Sequence, residues 1–251
     1  MPLAPRHKMG ALFFWVSLRY SISMKVIDKY HGDNDDYFVL EGEDGGHAVR
    51  ILTSSDVTSA QGGIYLDDSS TYGEWGFPRL AFEATVAEHP SNVLMLGGGP
   101  MRLAVDLYQA LDQLTMLTVE QEMAVIGAAQ RYFGFDRDAY TKRGGMIYIG
   151  DAQYALAGIL GSRGTVPDWR PFDVVIVDLF NGSYWPSFME GMEFWQQVHD
   201  VARGTVLVNQ NELGKQSLPD DIETLFSVEE RKMGNNRGSG MWLLTKHKRS
   251  E

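Results

Sequence analysis

Not one of the 251 residues is a cysteine. Disulfides and thiolate nucleophiles are therefore excluded, and the chain is compatible with a reducing compartment; a cytoplasmic location is expected. Positive charge is also scarce. Lys and Arg number 22 against 33 Asp and Glu, for a formal net charge of −11. A nucleic-acid backbone needs a basic surface, so nucleic acid is not the expected partner. An acidic cleft instead attracts a small cation. No apolar run approaches the ~20 residues that cross a bilayer, so no membrane partner is expected. The apolar patch at residues 11–16 follows Arg6, His7 and Lys8 and is soon interrupted by Arg19. Residues 1–23 read as a poorly ordered leader, and Met24 as a plausible first residue. The six histidines, at 7, 31, 47, 89, 199 and 247, show no metal-ligand spacing, and no metal is expected.

What is present is a glycine turn. The apolar run Val93, Leu94, Met95, Leu96 ends in Gly97, Gly98 and Gly99, and a helix-like segment follows over residues 101–111. Only glycine turns this sharply while letting a ligand approach the backbone. The helix start then offers free N–H groups and a positive dipole end. A second apolar strand, residues 114–119, ends in Glu120, about 20 residues past the turn, where a ribose-binding acid is expected. A third, 146–149, ends in Gly150 and Asp151, and a fourth, 172–177, ends in Asp178. Each acid alone reads equally as a helix cap or a loop charge. Three of them at strand ends beside a glycine turn point to one crevice.

Around this centre the chain divides into residues 1–23, a β-hairpin region at 24–71 and a Rossmann-like cofactor-binding domain at 72–251. Strand-like pieces at 24–30, 37–42 and 48–53 are separated by turn-rich segments. Residues 54–71 read as a glycine- and serine-rich stretch, and a helix is expected over 78–89, with Pro78 in its first turn. Strands and helices then alternate, with a helix over 191–201 and a strand over 205–209. Residues 225–233 and 241–246 read as a closing antiparallel hairpin. The pattern predicts an α/β fold: a doubly wound, mostly parallel sheet with a late antiparallel hairpin, as in S-adenosylmethionine-dependent methyltransferases.

These motifs resemble those of the spermidine synthase (polyamine aminopropyltransferase) family over residues 59–212. A glutamine, Gln61, precedes Tyr72-Gly73-Glu74, then the strand and the three glycines; Glu120-Gln121-Glu122 resembles the family's E-x-D, Gly150-Asp151 its G-D, and Phe172 to Asp178 its F-D-V-I-x-D. The resemblance implies an adenosyl co-substrate, S-adenosylmethionine or its decarboxylated form. It would be held by Gln61, Gly97, Gly98, Gly99, Glu120 on the ribose, Asp151 near the adenine, and Ala152. It implies Asp178 as the base toward an attacking amine, with Tyr72 orienting that amine. A small cationic amine would sit near Glu74, Asn181, Tyr184 and Trp185, the last two supplying aromatic faces. The β-rich N-terminal region resembles one that supports dimers, so a homodimer is compatible.

Two motifs depart from the family pattern. Pro100 and Met101 stand where the family has aspartate and glycine, and Asn181 stands where a second acid grips the far amine. Three readings therefore remain open: an aminopropyltransferase, a methyltransferase with another acceptor, and a non-catalytic adenosyl-binding homologue. An NAD-dependent dehydrogenase fits less well, because G-x-G-x-x-G is missing.

Overall fold

A computed structural model describes residues 24–55, 60–71, 76–162, 171–180, 184–211, 217–232 and 239–247. Residues 1–23, read above as a leader, lie outside them, as do Tyr72, Glu74 and Asn181. Two sheets organise the chain. The first has four antiparallel strands in the order β1 (Met24–His31), β2 (Asp36–Asp44), β3 (His47–Ser54) and β4 (Ala60–Tyr65). Its strand β4 falls inside the stretch read from sequence as a glycine-rich connection. The reason is Gly62: a Cβ there would lie 2.6 Å from Pro100 Cγ, so the strand needs a residue without a side chain where it crosses the glycine turn.

The second sheet is built from β5 (Asn92–Leu96), β6 (Thr115–Glu120), β7 (Gly145–Ile149), β8 (Phe172–Val177), β9 (Ala202–Asn211), β10 (Phe226–Lys232) and β11 (Ser239–Lys246). Its order is β10-β11-β9-β8-β5-β6-β7. The five strands from β5 to β9 run parallel, and β10 and β11 are antiparallel, as the sequence pattern predicts. Helices α1 (Phe77–Glu88), α2 (Arg102–Ala110), α3 (Met123–Tyr132), α4 (Arg137–Lys142), α5 (Ala152–Gly161) and α6 (Met192–Val201) complete the fold. Among the described residues no helix is long and apolar enough to cross a membrane.

Apolar residues along β5 and β8 alternate between two cores. Leu94, Leu96, Val175 and Val177 pack with α5 and α6, while Val93, Met95, Val174 and Ile176 pack with α1 and α2. Burial on both faces is the mark of a central parallel strand. A third packing surface joins the sheets: Val39, Leu52 and Ile64 of the first lie against Val125, Ala128 and Phe133 at α3.

Candidate active site

Strand register assembles the site. Leu96 pairs with Val119 on one side and Val177 on the other, so Gly97, Glu120 and Asp178 leave the sheet at one level. Val177 in turn pairs with Val208, which brings Asn209 to the same level on β9. Because β6 and β8 flank β5 on opposite sides, a crevice opens over their carboxyl ends. It forms a cavity of about 560 Å³, whose lining includes Gln61, Gly97, Gly99, Glu120, Asp151, Ala152 and Asp178.

The glycine turn is enforced from two directions. A Cβ on Gly97, at φ +91°, would lie 2.0 Å from the carbonyl oxygen of Asp178, and one on Gly99 would lie 2.9 Å from that of Gln61. Gly98 sits behind the surface, against Met101 and Thr118. Glu120 holds this turn from below. Its Oε2 accepts hydrogen bonds from the backbone N–H groups of Gly98 (3.0 Å) and Gly99 (2.9 Å), and its Oε1 accepts one from Glu122 (3.0 Å). Burial pushes this carboxyl above the usual range, and backbone N–H donors, those of Glu122, Gly99, Gly98 and Gln121, pull it back toward the anion. The residue expected at the ribose thus also fixes the shape of the loop beneath it.

Glu122 has a role that its sequence position did not announce. Its carboxylate accepts from the backbone N–H of Asp33 (2.8 Å), the backbone N–H of Asn34 (3.0 Å) and the Asn34 side-chain amide (2.6 Å). It therefore clasps the loop between β1 and β2 onto the parallel sheet, and that loop brings Asn34 and Asp35 into the cavity wall. Glu122→Ala is expected to cost about 2–4 kcal/mol, since bonds to a buried charge are the stronger kind. Hydrogen exchange would test the clasp: the Asp33 and Asn34 amides should lose protection, and unchanged protection would remove Glu122 from that role.

Asp151 caps α5, its Oδ1 accepting from the N–H groups of Gln153 (2.7 Å) and Tyr154 (3.3 Å). Asp178, like Glu120, is an acid of the crevice that burial raises. Burial pushes its carboxyl up to about 6, and a hydrogen bond from the Asn209 side chain (2.7 Å) works against that rise. The expected aromatic wall is placed differently. Trp185 is 7% exposed and packs with Trp195 and Trp242, at ring-centroid distances of 6.0 and 5.4 Å, while Tyr184 is 63% exposed. Neither lines the cavity; Pro186 and Phe188 do. The indole buries more apolar area in the aromatic cluster than a polar rim would allow.

Three further wall residues, Tyr37, Ser54 and Asn209, were not singled out by sequence. Asn209 alone carried a signal, as the last residue of a predicted strand. The charge balance is one-sided: among the described residues the cavity is lined by Asp35, Glu120, Glu122, Asp151 and Asp178, and by no Lys, Arg or His. No cluster of three or more His, Asp or Glu suited to a metal occurs among the described residues.

No family model matches the chain. It is 25% identical over 133 residues to the polyamine aminopropyltransferase of Vibrio vulnificus (strain CMCP6), an alignment that covers 52% of this chain and 40% of that protein. The match thus spans less than half of the curated relative's length. In structure the chain is similar to spermidine synthase from Thermotoga maritima, with a TM-score of 0.60, 18% identity and coverage of 89% and 74% of the two chains. It is also similar to human methyltransferase-like protein 13 in complex with SAH, with a TM-score of 0.52, 18% identity and coverage of 70% and 78%. At these identities the solved structures share the fold.

Proposed function

We propose that this spermidine synthase-like chain is a transferase that moves an alkyl group from an adenosyl sulfonium to a small amine, with the decarboxylated sulfonium as donor. One observation carries the reading: a cavity lined by five carboxylates and no described cationic side chain, with Asp178, raised by burial, in its wall. Such a cavity favours a donor and an acceptor that are both cations.

The chemistry follows from that setting. The glycine turn and the carboxylates around it would hold the adenosyl group, with Glu120 facing the ribose and Asp151 the adenine. An amine is protonated near neutral pH, its reference pKa being about 10. Asp178 accepts the ammonium proton, which frees the nitrogen lone pair. The nitrogen–carbon bond forms as the carbon–sulfur bond breaks, and the electron pair of that bond leaves on sulfur as a neutral thioether. No acid is needed for departure, so catalysis reduces to alignment and proton removal.

Methyl transfer from the carboxylated donor is the second reading, supported by the fold shared with a methyltransferase-like protein. Against it stands the want of a described cationic side chain for the donor's carboxylate. Calorimetry separates the two. Decarboxylated S-adenosylmethionine should bind at least ~10-fold more tightly than the carboxylated form, the equivalent of about 1.4 kcal/mol for one unpaired carboxylate. Tighter binding of the carboxylated form would favour methyl transfer.

A further inference from the structure

We propose that Asn209 is the positioning residue of the proton acceptor: its amide holds Asp178 Oδ1 and leaves Oδ2 as the atom presented to the amine. This rests on the transferase reading for what Asp178 does, and on the geometry of three strands for how Asn209 acts.

Asp178 is held at three points. Its N–H donates to the Leu96 carbonyl (2.8 Å), its own carbonyl closes over Gly97, and its Oδ1 accepts from Asn209 Nδ2 (2.7 Å). The first two contacts, with the last residue of β5 and the glycine just past it, fix the backbone. The third comes from β9, on the other side, and fixes the side chain. Oδ2 accepts no hydrogen bond from any described residue. An amide facing an ionised carboxylate must offer its nitrogen, because its oxygen would repel the anion. Asn209 therefore fixes both the rotation of the carboxylate and the identity of its free oxygen. The neighbouring Gln210 cannot substitute, since its Nε2 donates instead to Glu230 Oε1 (2.6 Å) on β10.

The amide also sets basicity. It stabilises the anion, opposing the rise that burial causes. Among the described residues, Asn209 is the group that has this role. Leu96, at the end of β5, and Gly97 just past it meet Asp178 directly, and Leu179, Phe180, Phe77 and Phe188 share the cavity wall with it. None of these titrates. The titratable groups that share the cavity are Asp35, Glu120, Glu122, Asp151 and Tyr37, all acidic. The proton then passes from the ammonium to Oδ2, with Oδ1 still bonded to the amide.

The test uses the full chain carrying Asn209→Ala or Asn209→Ser. The Asp178 carboxyl is titrated by carbon-13 NMR without ligand, and its signal is assigned by its loss in Asp178→Asn. Asn209→Ala should raise its midpoint by about one pH unit, the size of one hydrogen bond to a charged group. Asn209→Ser, which keeps a short donor, should give back part of that shift, and it carries the comparison if the alanine variant does not fold. In turnover, the acidic limb of kcat/KM should move up by the same amount. The kcat should fall about 10-fold and KM for the amine should change less than about 2-fold, as for a misoriented base. An unshifted Asp178 titration in a folded Asn209→Ala variant would overturn the proposal. A shifted titration in a protein that transfers nothing to any amine would support the positioning role and defeat the transferase reading instead.

Discussion

Asp178→Asn should abolish transfer, lowering kcat by ~10³-fold or more, while affinity for methylthioadenosine changes by less than about 3-fold. The asymmetry follows from placement. Asp178 presents its carboxyl where β8 ends, whereas the proposed adenosyl site is the glycine turn, Glu120 and Asp151. Removing the charge therefore removes the proton acceptor and leaves the binding surface. The wild-type rate should fall as pH drops below about 6, because the base must be ionised to act and burial has raised it to that value.

The same shift has a consequence for stability, with a definite sign. The carboxyl titrates near 3.8 when unfolded and near 6 when folded. Below both values it is protonated in either state and costs nothing. As pH rises through 6, the fold must hold a part-buried anion, and stability is lost. Asp178→Asn should thus be more stable than wild type at pH 8 by about 2 kcal/mol, discounting the full shift for partial solvent contact, and should show little difference at pH 4. An inactive variant that melts at a higher temperature at pH 8 would identify a group retained for chemistry at a cost in stability. An active one would remove Asp178 from the reaction.

Gly97→Ala carries the other large expected effect. At φ +91° any side chain is strained, and the added Cβ would meet the Asp178 carbonyl at 2.0 Å, an overlap with backbone that no rotamer relieves. The central strand must separate from β8 to admit it. A loss of at least ~4 kcal/mol is expected, from backbone strain and overpacking together. Adenosyl affinity should disappear with it, because the turn and the proton acceptor are displaced as one unit. Gly158→Ala, in α5, is the control. Nothing lies within 4 Å of its added Cβ, so that change should be neutral or stabilising by about 0.5–1 kcal/mol. Chemical denaturation of the pair measures the contrast. Similar stabilities for the two variants would show that the glycine turn is not locked by Asp178.

Sequence made the parallel sheet legible because two signals coincide there: apolar runs of strand length, and chemistry placed at each carboxyl end. The glycine turn, Glu120, Asp151 and Asp178 all lie where that logic puts them. Elements whose local signal conflicts with their tertiary setting were harder to see. Strand β4 carries Gly62 and Gly63 and reads as a loop, yet the first of these is required by the approach of Pro100. Short helix α4 shows little beyond Asp136, whose side chain accepts from the Ala139 N–H (2.9 Å) as an N-cap. Trp185 follows Tyr184 in a segment that looks like a pocket rim, but packing with Trp195 and Trp242 directs it inward. The clasp from Glu122 to Asn34 joins residues 88 apart, and the bond from Asn209 to Asp178 joins residues 31 apart. Such pairs become visible only once strand register is known.

The most direct test of the account is product analysis at pH 7–8 with decarboxylated S-adenosylmethionine and a panel of mono-, di- and polyamines. Wild type should release methylthioadenosine and an N-alkylated amine in equal amounts, and Asp178→Asn should release neither while still binding methylthioadenosine. Formation of a methylated acceptor from the carboxylated donor, with no amine alkylated by the decarboxylated one, would contradict it.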